Sequence, residues 1–148
     1  DSPQGDRACA ELLPALVQSA QTIPAADIPD LVPILAVSAA ACHGAVFTDI
    51  GRLRLKESDR VESVIAMLKA LGGSASADAD TLTVSGTGLR GGTVDSRNDH
   101  RIAMAAAIAA TVCRETVTIL GAECVEKSYP GFFEEYRKSG GSYEQYLR

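Results

Sequence analysis

The 148-residue sequence predicts an α/β (α+β) fold of repeated βαβαββ units with buried helices, about two and a fraction such units in all. Three observations lead there. Two helical segments, "DLVPILAVSAAACHG" and the one starting near Asp99 within "TVDSRNDHRIAMAAAIAATVCRETVTIL", are apolar nearly all round, as a helix inside a core must be. Short β-type runs such as "AVFTDI" and "TVTIL" flank them. The order strand, buried helix, strand, amphipathic helix then occurs twice. A gapless shift of 71 positions places Thr22 on Thr93, Ala36 on Ala107, Cys42 on Cys113, Val46 on Val117 and Lys56 on Lys127. Only two copies of so long a repeat are present, which excludes a solenoid.

In chain order, Asp6 is placed to cap a helix through "RACAELLPALV", which Pro14 is expected to kink or end. "QTIP" reads as extended. The first buried helix starts at Asp30 and closes at Gly44, and Pro33 is tolerated because first-turn amides have no intrahelical partner. After the strand "AVFTDI" comes a helix with Val61, Val64, Ile65, Leu68 and Leu71 on one face. Asp59 with Glu62 resembles a capping box, and Gly72-Gly73 ends this helix. "GSASA" and "TLTVSG" form a hairpin across "DAD". The pattern restarts with "TVDSRNDHRIAMAAAIAATVCRETVTIL", read as strand, buried helix, strand. "YPGFFEEYRKSGG" supplies a last helix, with Pro130 near its first position and Gly140 beyond its end. Residues 1–20 thus close a first unit, 21–90 make a second and 91–148 a third. The opening "DSPQGDRACA" lacks a Met and predicts a fragment of a longer protein.

Composition narrows the functional classes. Hydrophobic residues make up 46% of the chain, enough for a core, whereas aromatics are only 5%, which favours close-packed Ala-rich helices. A net charge of −5 disfavours nucleic acid as a partner, and no apolar run approaches the ~20 residues of a membrane span. Cys9, Cys42, Cys113 and Cys124 show no C-x-x-C spacing and only two His are present, so no metal site is expected and the cysteines read as reduced cytosolic thiols.

Polar residues gather at three helix starts: Asp27 to Asp30, Lys56 to Arg60, and Asp95 to Arg101. Helix N-termini offer free amides and a partial positive charge, so an Asp there is ordinarily a cap. Cations there need another reason. Arg60 and Arg101 occupy first turns, where the macrodipole disfavours them, and Lys127 stands at a similar junction. Guanidinium forks beside backbone amides suit a doubly charged anion. Glu57, between Lys56 and Arg60, becomes a general-acid candidate once an anion binds nearby. "GTGLRGG" lacks the P-loop pattern and reads as a turn; His43 suits a helix C-terminus; His100 suits hydrogen bonding; Phe132, Phe133 and Tyr136 read as packing.

"LRLKESDR", "VDSRNDHRIAMA" and "ECVEKSYPGFF", together with "DIPDLVPILAV" and "QGDRA", resemble the 5-enolpyruvylshikimate-3-phosphate synthase family, the 3-phosphoshikimate 1-carboxyvinyltransferases. The matches stand in family order and span essentially the whole chain. The resemblance implies an inside-out α/β domain of three βαβαββ units, whose buried helices point their N-termini into a cleft shared with a second domain absent from this chain. It implies addition of the 5-hydroxyl of shikimate 3-phosphate to phosphoenolpyruvate and loss of phosphate, in the cytoplasm, without metal or organic cofactor. Asp30 would hold the ring hydroxyls and act as base, Glu57 would donate a proton, and Lys56 would approach the shikimate substrate. Arg60, Arg101 and Lys127 would bind phosphoenolpyruvate. Arg52 departs from the Asn that some members have against the sugar phosphate, and no role is carried over to it. The opening helix also reaches "TIPAADIPD" early, as though a strand pair were missing. The competing reading is a non-catalytic fragment or scaffold that weakly binds phosphate-type anions.

Overall fold

A computed structural model describes residues 5–146 of the chain. A 3-10 turn over Gly5–Ala8 leads into α1, Cys9–Gln18. The side chain of Asp6, the expected cap, lies outside the described residues. Pro14 does not end α1, which runs four residues past it. Its missing N–H removes a single helical bond, and burial of Leu16 with packing of Leu12 and Leu13 on the core offsets that loss. Only Ser19 and Ala20 separate α1 from β1, Gln21–Pro24, with no strand pair between them.

The second unit forms as the sequence predicts. β1 pairs in parallel with β2, Ala45–Thr48, across α2, Val32–Ala41. A 3-10 turn over Gly51–Leu55 leads to α3, Arg60–Ala70. The hairpin of β3, Ala75–Ala77, and β4, Thr81–Val84, adds antiparallel to β2, giving the sheet order β1-β2-β4-β3. Its turn is shaped by the Asp78 carboxylate, which accepts from the Asp80 and Thr81 amides and the Thr81 hydroxyl.

The third unit is shorter than predicted. β5, Gly92–Asp95, pairs in parallel with β6, Val117–Leu120, across α4, His100–Ala110. A 3-10 turn over Ala122–Lys127 and α5, Phe132–Lys138, complete it. No hairpin follows among the described residues, so the order is βαβα rather than βαβαββ. Nor is the offset constant. Gln21 and Gly92 begin matching strands 71 positions apart, but Ala45 and Val117 stand 72 apart, because α4 has 11 residues to the 10 of α2, while the shorter connection before α4 and the longer one after it cancel. Pro130 precedes the N-cap, Gly131, instead of opening α5, while Gly140 follows the C-cap with φ 108°.

Helices form the inside and strands the outside. Val32, Leu35, Ala36, Val37, Ala39 and Ala40 of α2 are buried, as are Ile102, Ala103, Ala105, Ala106, Ala107 and Ala109 of α4. The alanines let α2, α3 and α4 pack against one another, so their N-termini lie at one end of the core. α5 covers a small separate core cluster in the third unit, with Phe132 and Phe133 against Ala103, Cys124 and Val125, and the Tyr136 hydroxyl donates to Ala107 O at 2.7 Å. Where the sequence left the C-terminal tail silent, Tyr143 packs on Phe133 and under the Arg137 guanidinium. No helix among the described residues is long and apolar enough to cross a membrane.

Gly92 fixes where the third unit meets the second. Its φ is 146°, and a Cβ there would stand 2.2 Å from the Ala70 carbonyl oxygen at the end of α3. Gly92→Ala is therefore expected to destabilise the fold by more than about 1 kcal/mol, combining a disallowed conformation with a backbone clash. A urea midpoint equal to wild type would show that this junction yields without cost.

Candidate functional site

The carboxyl ends of β1, β2 and β5 lead into the N-terminal ends of α2, α3 and α4, and the predicted polar residues meet there. Local structure places each one. Turns with Ile28 N donating to Ala25 O and Leu31 N to Ile28 O carry the chain from β1 to α2, which starts at Val32 with no side-chain cap. Asp30 caps nothing. Its carboxylate instead lies 2.8 Å from Arg60 Nη1, 3.4 Å from Lys56 Nζ and 3.9 Å from Arg101 Nη2. Asp59 is a true cap of α3, accepting from the Glu62 amide at 3.2 Å, which leaves Arg60 at the first helical position.

Arg60 is completely buried, and every one of its five N–H groups is engaged. Nε and Nη2 donate side-on to Asp99 Oδ2 and Oδ1, each at 3.0 Å. Nη2 also donates to Glu57 Oε1 at 2.6 Å, while Nη1 donates to Asp30 Oδ1 at 2.8 Å and to Pro29 O at 3.4 Å. Burial alone would lower the proton affinity of the guanidinium, but the hydrogen bond and charge of Asp99, then Asp30 and Glu57, outweigh it and raise it. Asp30 shows the same contest. Burial pushes its carboxyl up, yet the Arg60 hydrogen bond and the charges of Arg101, Lys56 and Arg60 hold it below the ordinary 3.8.

Three carboxylates and three cations thus compensate one another at two depths. Arg60 and Asp99 form a dry floor. Asp30 and Glu57, their side chains 45% and 44% exposed, form the rim with Lys56 and Arg101, at 28% and 32%. His100 stands beside Glu57, with Nδ1 3.7 Å from Oε2. Lys127 is exposed at the end of its 3-10 turn, and no contact joins it to the cluster among the described residues. Sequence reasoning missed Asp99, which it read only as the start of a helix. That reading was correct as far as it went, since Asp99 Oδ1 accepts from the Arg101 amide at 3.0 Å. The missed signal was an unexplained Arg at the first position of α3, which needs a counter-ion from another element. Arg52 and Arg54 brace the approach: Arg52 Nη1 donates to Ala26 O at 2.9 Å and Arg54 Nη2 to Asp78 O at 3.2 Å. No group of three His, Cys, Asp or Glu side chains able to hold a metal ion occurs among the described residues.

An inside-out α/β domain that gathers cations and reachable carboxylates at converging helix N-termini belongs to the class of domains that handle small anions. The comparisons narrow that class. A sequence model of EPSP synthase, 3-phosphoshikimate 1-carboxyvinyltransferase, matches residues 14–136, and the chain belongs to that family. The 3-phosphoshikimate 1-carboxyvinyltransferase of Clostridium acetobutylicum is 47% identical over 126 residues, covering 84% of this chain and 29% of the relative. That of Clostridium kluyveri is 41% identical over 140 residues, covering 93% and 33%. The structure of EPSP synthase from Acinetobacter baumannii aligns with a TM-score of 0.70 at 32% identity, covering 77% of this chain and 28% of that one. The chain spans about a third of the length of the curated relatives it matches.

The depressed carboxyl of Asp30 makes stability pH-dependent. Because its folded value lies below the ordinary 3.8, the ionised form stabilises the fold fully above about pH 5, and that contribution fades as pH falls through the folded value. Wild type is expected to exceed Asp30→Asn by about 1 kcal/mol or less at pH 7, given the exposure of the rim. The gap between their urea midpoints should narrow on acidification below about pH 4; a gap that widens there would contradict the assignment.

Proposed function

We propose that this chain forms part of an enzyme that transfers the enolpyruvyl group of phosphoenolpyruvate to the 5-hydroxyl of shikimate 3-phosphate in the cytoplasm. The observation that supports this most directly is the pair Asp30 and Glu57, both solvent-reachable, set on the two outer nitrogens of one buried guanidinium. Asp30 takes the proton of the substrate hydroxyl as its oxygen bonds to the central carbon of phosphoenolpyruvate. Glu57 gives a proton to the terminal methylene, which becomes a methyl group. Loss of phosphate from the tetrahedral adduct, with one methyl proton returning to Glu57, then restores the vinyl group, and the proton held by Asp30 leaves with the phosphate. Lys56 faces the shikimate substrate; Arg60, Arg101 and Lys127 hold the phosphoenolpyruvate anion. Since every N–H of Arg60 is already engaged, it acts on the anion through its charge, while Asp30 and Glu57 keep their bonds to it.

The units 1–20, 21–90 and 91–148 then form the C-terminal part of one domain, and a second domain, outside this chain, closes over the substrates. In the full-length enzyme, Glu57→Gln is expected to lower turnover by about 10²–10⁴ without weakening phosphoenolpyruvate binding, because the cations remain and only the transferable proton is lost. The 148-residue chain alone is expected to release no phosphate, since it clamps the two substrates from one side only. Phosphate release with both substrates compares the three proteins. Near-normal turnover by the Gln form removes Glu57 from the acid role, and robust turnover by the chain alone removes the need for a second domain.

A further inference from the structure

Asp99 has no part in the reaction as proposed, yet it is an ionisable side chain with no solvent exposure. Capping α4 needs only one acceptor for the Arg101 amide, which a Ser or Asn would supply. Asp99 does more. Oδ1 accepts from the Arg101 amide and from Arg60 Nη2, each at 3.0 Å; Oδ2 accepts from Arg60 Nε at 3.0 Å and from Ser58 Oγ at 2.9 Å. Ser63 Oγ, itself buried, donates to Ser58 Oγ at 2.9 Å, so α3 supports the carboxylate from behind. The approach to Asp99 is also costly. Arg97 and Asn98 both take left-handed backbone angles, φ 54° and 58°, and the turn is closed by Asp95 Oδ1 accepting from the Arg97 amide.

Two parallel bonds along one edge fix the plane of a guanidinium as a single bond cannot. With Asp99 on the Nε–Nη2 edge, the remaining N–H groups are directed outward, Nη1 to Asp30 and Pro29 O and the second N–H of Nη2 to Glu57. We infer that Asp99 is a positioning residue of this site: through its side-on grip on Arg60 it sets the rim carboxylates Asp30 and Glu57. It also supplies the counter-charge for Arg60, so that Asp30 and Glu57 are oriented by the guanidinium without being its only anions. Removing that grip lets the guanidinium plane turn, and Asp30 and Glu57 move with it. This rests on the acid–base roles proposed above for Asp30 and Glu57.

The test uses Asp99→Ser, which keeps an N-cap but loses the side-on grip, and Ser58→Ala, which changes no charge and removes one donor to Oδ2. In the full-length enzyme, Asp99→Ser is expected to lower kcat per folded molecule roughly 100-fold, the scale of a small misplacement of catalytic groups. Ser58→Ala is expected to lower it about 2- to 12-fold, the scale of one hydrogen bond, with KM for shikimate 3-phosphate little changed in either variant. A second readout needs no activity. In the 148-residue chain, the Arg60 Nε–H proton is expected to exchange slowly in NMR, and Ser58→Ala is expected to shift both it and the Glu57 carboxyl carbon. If full-length wild type transfers no enolpyruvyl group, the proposed function fails while the NMR readout still decides the role of Asp99. Wild-type kcat per folded molecule in both variants, or an Arg60 Nε–H and Glu57 carboxyl carbon unmoved by Ser58→Ala, overturns the inference.

Discussion

The fold at its functional end depends on one buried ion pair, Arg60 with Asp99. Neither side chain reaches solvent, and a buried charge is tolerated only when paired and fully hydrogen-bonded. Here the demand is met in full, since no buried side-chain polar atom among the described residues lacks a partner. The pair joins the first position of α3 to the N-cap of α4, and the bond from Arg60 to Pro29 O draws in the turn that precedes α2. Three helix starts are held together by one side chain. Breaking such a pair by removing one partner costs about 3–5 kcal/mol in typical proteins, far more than any exposed pair on the rim.

That arrangement is possible because the helices, not the strands, fill the interior. Alanines on α2 and α4 let helix axes approach closely, and the strands lie outside them as half-buried ribbons such as β6. Parallel βαβ connections then bring the N-termini of α2 and α4 to the same end of the domain, where Arg60 at the start of α3 meets them. Positive helix ends that converge would repel each other unless negative charge stood among them. In this chain the negative charge comes from Asp30, Glu57, Asp59 and Asp99.

Much of this was legible in the sequence, for identifiable reasons. The all-round apolar character of α2 and α4 announced buried helices, and Asp59 was a cap by type and spacing. The Asp78 turn and the clustering of Asp30, Lys56, Glu57, Arg60 and Arg101 at helix starts could also be read from local pattern. What escaped were features that depend on partners distant in the chain. Pro14 sits inside α1 because Leu16 and its neighbours are anchored on the core. The repeat drifts from 71 to 72 positions because α4 is one residue longer than α2, which leaves the strand pairing unchanged.

The chain by itself determined the elements, their order, the family and the identity of the charged residues, since periodicity, caps and motifs are local properties. Only the tertiary structure decided how those charges are divided. Arg60 lies at the floor with five hydrogen bonds to four residues, and Asp99, a cap by its position, is also its buried counter-ion from 39 residues away. Lys127, the match of Lys56 in the repeat, makes no hydrogen bond or ion pair with the cluster among the described residues. The reason is that burial and pairing of an ionic group are set by the elements folded around it, and no stretch of sequence around Arg60 contains Asp99.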